Sequence, residues 1–182
     1  MRNRAWLGLL VVFLLASILS VVVAGTVVSA RSLILGMELQ VPNAALIPAG
    51  VAVAYGYCLS RSDKVTESAT IRPVRLADVG VALTLVVATA NVGMLCESAW
   101  VTLMVARNQM GLLGIVLLVS GLGHPRQASL TAAAYVIFAI LTGSQAHGAA
   151  PWAWLIKDGS DPIAAVLSLA VFVAGAVTYL RP

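Results

Sequence analysis

Residues 5–28 read AWLGLLVVFLLASILSVVVAGTVV, a run without a single charge placed directly after Arg2 and Arg4. About 20 apolar residues in a helix are enough to cross the roughly 30 Å hydrocarbon core of a bilayer. The run is longer than the roughly 7–15-residue apolar core of a secretory signal, so it reads as a membrane span. A Val-Ala-Gly step at Val23–Gly25 resembles a signal cleavage site, and removal of this segment stays open as the alternative.

Similar runs recur to the end of the chain. The spans expected are Ala5–Val28, Ala44–Leu59, Val79–Met94, Trp100–Leu122, Ser129–Ser144 and Pro162–Leu180. Of the 182 residues, 60% are hydrophobic and 10% charged, with a mean hydropathy of +0.99. Soluble domains carry about 25% charged residues, so this chain needs lipid as its solvent. Lipid admits only helices or closed barrels, because backbone polar groups find no water there. The runs are rich in Ala, Leu and Val and lack the alternation of a barrel strand. The expected fold is all-α: a polytopic transmembrane helical bundle of about six spans, one integral membrane domain over residues 1–182, in the cell membrane. Between residues 79 and 123 the pattern allows two spans joined near Glu97, or one long helix followed by a short one. A charge at mid-span costs roughly 2.5–3.5 kcal/mol, so Glu97 and Arg107 are expected at the outer interface or in a protein-lined cavity.

Orientation follows from where Lys and Arg collect. With the N-terminus inside, the inner side holds Arg2, Arg4, Arg61, Lys64, Arg72, Arg75, Arg126 and Arg181; the outer side holds Arg31, Arg107 and Lys157. The bias puts both termini in the cytoplasm. It also explains the pI of about 9.5 as a topology signal, with no call for nucleic acid as a partner.

Two polar segments stand out. Ser60–Asp78 lies between the second and third spans on the inner side. Within it Asp63–Ile71 can form a short amphipathic turn, ended by Pro73. It is either an ordinary topology-setting loop or a docking element for a cytoplasmic partner, with Asp63, Lys64, Glu67, Arg72 and Arg75 as the contact residues. Its mixed charge suits a soluble protein better than lipid headgroups, which favour an unbroken basic run. Ala149–Pro162 carries Trp152 and Trp154, which read as interfacial anchors or as a substrate gate. At its end Asp161-Pro162 resembles a helix start, with Asp as N-cap and Pro in the first turn.

The remaining polar residues point to packing. Cys58 and Cys96 read as thiols within apolar runs, and with His124 and His147 they make no metal-ligand set. Asn91 is expected to bond across to another helix. Gly111-Leu-Leu-Gly114 and Gly121-Leu-Gly123 allow close helix approach. No nucleotide-binding loop, metalloprotease motif or carboxylate cluster occurs, so neither an enzyme nor a cofactor is expected.

Three features together resemble the permease subunits of small actinobacterial-type ABC exporters. They are the charged loop with Glu67 and Arg72-Pro73-Val74; the Ala106-Arg107-Asn108-Gln109-Met110-Gly111-Leu112 step into a Gly-Leu-rich span; and Pro151-Trp152-Ala153-Trp154 ahead of the last span. Such permeases usually run longer and often open on a cytoplasmic amphipathic helix, which is missing ahead of residue 5. The resemblance implies a membrane subunit working with a separate cytoplasmic ATPase, as a homodimer that encloses the pathway. The alternative is a non-transporting accessory, immunity or scaffold protein. Membrane lipid is a partner in either case.

Overall fold

The computed structural model describes residues 27–31, 38–60, 71–96, 99–145 and 148–181. Among them are five α-helices: α1 (Asn43–Ser60), α2 (Ile71–Cys96), α3 (Ala99–Gly121), α4 (Pro125–Thr142) and α5 (Pro162–Leu180). Two short antiparallel ribbons accompany them. β1 (Val27–Arg31) pairs with β2 (Glu38–Pro42), leading directly into α1, and β3 (Ser144–Gln145) pairs with β4 (Gly148–Ala149) between α4 and α5.

Most of the expected first span lies outside the described residues. Its last two residues do not: Val27 and Val28 are strand residues, paired with Pro42 and Val41. β-Branched residues suit a paired ribbon, so these two apolar residues belong to a strand. The ambiguous stretch between residues 79 and 123 resolves into two helices, α2 ending at Cys96 and α3 starting at Ala99. α2 also begins eight residues before the expected Val79, taking in Pro73, Arg75 and Asp78. Pro73 sits in its first turn, where its missing N–H is no loss; the amphipathic turn expected before it falls on residues 61–70, outside the described residues.

Three helices are long and apolar enough to cross a membrane, over Val74–Leu95, Ala99–Gly121 and Pro162–Leu180; Leu46–Ser60 forms a shorter apolar helix. α3 is the centre of the bundle and packs on α1, α2, α4 and α5. The faces are arranged for lipid. α5 buries Ala164, Ser168, Phe172, Gly175 and Tyr179 while Ile163, Val166, Leu169, Val173 and Val177 point outward. The outward stripe is wholly aliphatic, whereas the inward one mixes Ala, Ser and Gly with Phe172 and Tyr179; a helix packed in water would turn a polar face outward. Without a hydrophobic drive between helices in lipid, close approach at small residues holds them together.

Glycine sets that approach. A Cβ at Gly114 would lie 2.6 Å from Cα and N of Phe172, and one at Gly121 would lie 2.6 Å from the Tyr179 nitrogen. α3 and α5 therefore run parallel and touch backbone to backbone. Gly123 (φ 88°) then ends the helix. The His124 amide donates to Val119 O at 3.2 Å and the Gly123 amide to Ser120 O at 3.1 Å, the paired bonds of a Schellman turn. The two glycines of this Gly-Leu-Gly step thus do different work: Gly121 packs, Gly123 turns.

Replacing Gly114 by Val should cost about 1–3 kcal/mol or more, the price of overpacking against immovable backbone. Gly80, whose Cβ would meet nothing within 4 Å, is the matched control. Gly80→Ala should be neutral or stabilising by up to about 1 kcal/mol. Thermal unfolding in mild detergent separates the two, and equal melting of both variants would contradict the backbone contact.

Candidate functional site

The most unusual group in the bundle is Arg107. It lies eight residues into α3, about 12 Å from the start of the helix, and is only 5% exposed. Its guanidinium donates to main-chain oxygens of the segment before α5: Nη1 to Asp158 O at 2.6 Å, Nη2 to Trp154 O and Lys157 O, each at 2.8 Å. The next residue completes the set, with Asn108 Nδ2 donating to Leu155 O at 2.9 Å. Asn108 Oδ1 accepts from Nε and Nη2 of Arg107, both at 3.3 Å. Two adjacent side chains thus hold four carbonyls of a 3₁₀ turn (Trp154–Ile156) and its exit.

Aromatic packing seats the same segment. Trp154 is buried and stacks on Tyr135 of α4, with centroids 4.6 Å apart. Trp152 is exposed and stacks on Phe138 at 4.9 Å, and the Tyr135 hydroxyl donates to Trp152 O at 2.8 Å. Tyr135 lies seven residues before the end of α4, about 10 Å in. Two glycines shape the seat. A Cβ at Gly111 would lie 2.9 Å from Trp154 Nε1, and one at Gly143 would collide with Ala153. The loop between α4 and α5 is therefore re-entrant: it dips between α3, α4 and α5 and returns at Gly159, beside the Trp100 backbone.

Only Trp152 keeps the exposed setting of an interfacial anchor; Trp154 is sealed inside. Arg107 sits in a protein-lined site. Non-helical backbone turned into the bundle must find donors within the protein, and Arg107 supplies them.

A second polar cluster joins the opposite ends of α1, α2 and α5. Asp78 is buried; its Oδ2 accepts from the Tyr179 hydroxyl at 2.7 Å, and its main-chain oxygen accepts from the Tyr55 hydroxyl at 2.8 Å. One turn earlier, Arg75 Nη1 donates to the oxygens of Tyr179 (3.2 Å) and Arg181, with the guanidinium 5.8 Å over the Tyr179 ring. Arg75, expected as a docking residue, is thus turned onto the C-terminus of α5, where a cation satisfies the last carbonyls. Arg72 lies in the first turn of α2, and Asp63, Lys64 and Glu67 lie outside the described residues, as do Glu97 and His147. In mid-bundle the Thr89 hydroxyl bridges Leu85 O (2.8 Å) and Gln109 Oε1 (2.9 Å), tying α2 to α3.

Asn91 does not bond across helices. Its Nδ2 donates to Val87 O of its own helix at 2.8 Å, and the side chain is exposed. The interhelical role falls to Thr89, Gln109 and Asp78, which sequence reading passed over. Their signal is a stripe: Asp78, Ala82, Leu85, Thr89 and Gly93 follow one face of α2 at steps of three and four, and all are buried.

At the start of α5 the expected cap is present. Asp161 Oδ1 accepts from the amides of Ile163 (2.8 Å) and Ala164 (3.0 Å), while Oδ2 pairs with Lys157 Nζ at 2.7 Å. The Lys157 contact, then the Ala164 amide, hold this carboxyl below the usual carboxylate range.

Comparison of the chain with protein-family models, with curated proteins and with solved structures finds no match in any of the three. Function is therefore argued from the residues and their geometry.

A carboxyl whose folded pKa is depressed adds stability above its unfolded value of about 3.9, and the gain is lost as pH falls through the lower, folded value. Asp161→Ala should therefore lower the melting temperature at pH 7 through a lost cap of about 1 kcal/mol. The gap to the unsubstituted protein should narrow as pH drops below about 4. A gap that is constant with pH would show that the carboxylate charge does not matter there.

Proposed function

We propose that the chain is a six-span integral membrane subunit with both termini in the cytoplasm, acting as the permease-like part of an exporter energised by a separate ATPase. The membrane placement is supported by the three long apolar helices and by the outward face of α5, where Ile163, Val166, Leu169, Val173 and Val177 are all aliphatic. The orientation rests on the Lys/Arg bias, and the exporter assignment on the sequence resemblance. α1, α2, α3, α4 and α5 supply five of the six crossings in this reading, and the run before Val27 supplies the first. α4 counts as a crossing although it is short, because its apolar residues continue into the re-entrant segment. The substrate route is assigned to the interface of a homodimer, since the polar groups that α3 carries inward are spent on the protein's own backbone.

That same spending favours a second reading, a non-transporting accessory or scaffold protein, in which the polar groups serve rigidity alone.

Native mass spectrometry of the chain co-expressed with an ATPase encoded beside it separates the two. A dimer carrying two ATPase copies is the expected result. Glu67→Lys combined with Arg72→Glu should remove the ATPase; Arg75 is left intact because it secures α5. Cysteines placed at Ser62 and at Ser160 should label from opposite sides of the membrane in the same sample, Ser62 from inside. Ser160 is exposed, whereas Gly159 has no room for a side chain. A stable monomer that binds no ATPase and transports nothing would establish the scaffold reading, and labelling of both cysteines from one side would reject six spans.

A further inference from the structure

Anchoring a loop does not require a permanent charge. Asn108 holds Leu155 O with a neutral amide, and Thr89 meets Gln109 without any charge. Yet the residue that carries most of the loop contacts is an arginine, buried in a helix long enough to span a membrane. Among the described residues Arg107 has no carboxylate partner: every acceptor it meets is a neutral oxygen, three main-chain and one amide. The acids beside it are engaged elsewhere. Asp161 caps α5 and pairs with Lys157, and the Asp158 carboxylate turns outward to accept the Gly159 amide at 2.7 Å. A second donor nearby lacks a partner: the indole Nε1 of Trp154, on a residue 6% exposed, lies over Gly111, one turn along the face of α3 that carries Arg107.

We propose that Arg107 and Asn108 form a binding site for an acidic group, carboxylate or phosphate, entering from the side of the α4–α5 loop. In this arrangement the carbonyls of residues 154–158 are an internal stand-in for that ligand. A guanidinium matches an acidic group with two parallel charge-assisted bonds, a bidentate geometry that separate carbonyls do not offer. An acidic ligand also neutralises the buried charge, which carbonyls do not. Binding exchanges one set of acceptors for the other: the 3₁₀ turn lifts, and Trp154 leaves its place over Gly111. The inference needs the membrane placement and not the ATPase, so it can fail while the exporter reading stands. The acidic group has two sources, an amphiphile in the adjoining leaflet or a water-borne solute.

The test uses the full chain in neutral detergent with Trp6, Trp100 and Trp152 each replaced by Phe, leaving Trp154 as the only indole. Dodecyl phosphate represents the amphiphile, inorganic phosphate the solute, and dodecyltrimethylammonium the control of opposite charge. A saturable change in Trp154 emission with dodecyl phosphate alone assigns the site to an amphiphile; a change with inorganic phosphate as well assigns it to the acidic group itself. Arg107→Gln should weaken that response at least tenfold, and Lys157→Gln less than threefold. If Arg107→Gln does not fold, Arg107→Lys keeps the charge without the fork and should weaken the response about three- to tenfold. In a parallel sample, a cysteine replacing the buried Ala153 should become reactive to a maleimide only when the phosphate probe is present. No saturable change with either phosphate, an equal change with the cationic control, or an undiminished response in the Arg107 variants would overturn the proposal.

Discussion

Four peptide carbonyls, those of Trp154, Leu155, Lys157 and Asp158, turn toward the bundle, the first two fully buried, onto side-chain donors of α3. An unmade hydrogen bond on a buried polar group costs on the order of 1–3 kcal/mol. A re-entrant loop is therefore possible only if a neighbouring helix brings donors to it. Arg107 and Asn108 do so from consecutive positions on α3, and most of the surrounding sequence follows from that requirement. Gly111 and Gly143 leave room for Trp154 and Ala153; Tyr135 and Phe138 supply ring faces; Asp161 closes the excursion by starting α5. Because α3 holds the loop, it must occupy the centre of the bundle.

The packing of α3 against its neighbours obeys the same solvent logic. In lipid, large apolar side chains have no need to turn inward, and many face out. Leu76, Leu83, Val87, Leu169 and Val173 are exposed, while Leu85, Leu112, Leu113, Leu117 and Phe172 fill the core. Close backbone approach at Gly114 and Gly121 sets the spacing of α3 and α5 around that core. Among the described residues, hydrogen bonds that link helices include Thr89 with Gln109, Asp78 with Tyr179 and Ser129 with Val53 O.

The helical class was legible in the sequence, as were the three helices long and apolar enough to cross a membrane, because hydropathy and length report on the solvent a segment needs. α1, α3, α4 and α5 fall within a few residues of their expected bounds, and the Asp161 cap and the Gly121 contact were visible as local motifs. The misses share one cause: hydropathy is blind to which polar residues are paired. Val27 and Val28 are as apolar as the run before them, yet the pairing with β2 makes them strand residues. Arg75 and Asp78 looked like loop because they are charged, but carbonyls at the end of α5 and the Tyr179 hydroxyl give them partners inside helix α2. For Arg107 the sequence offered the cost of its charge and no sign of what meets it, since its acceptors are backbone atoms about 50 residues away and backbone atoms leave no trace in composition. The phase of Asp78 within the buried stripe of α2 was the one overlooked signal that sequence alone contained.

Amide hydrogen exchange over residues 148–161 tests the clamp most directly. The amides of Ala150, Ala153, Ile156 and Lys157 are bonded to Gly143 O, Ala150 O, Ala153 O and Trp154 O, inside a loop held from α3. If the clamp is the constraint that organises the bundle, these amides exchange as slowly as those in the middle of α3. Substituting Arg107 should release them together while α5 stays protected. Exchange at the rate of an open connecting loop in the unsubstituted protein would contradict the clamp.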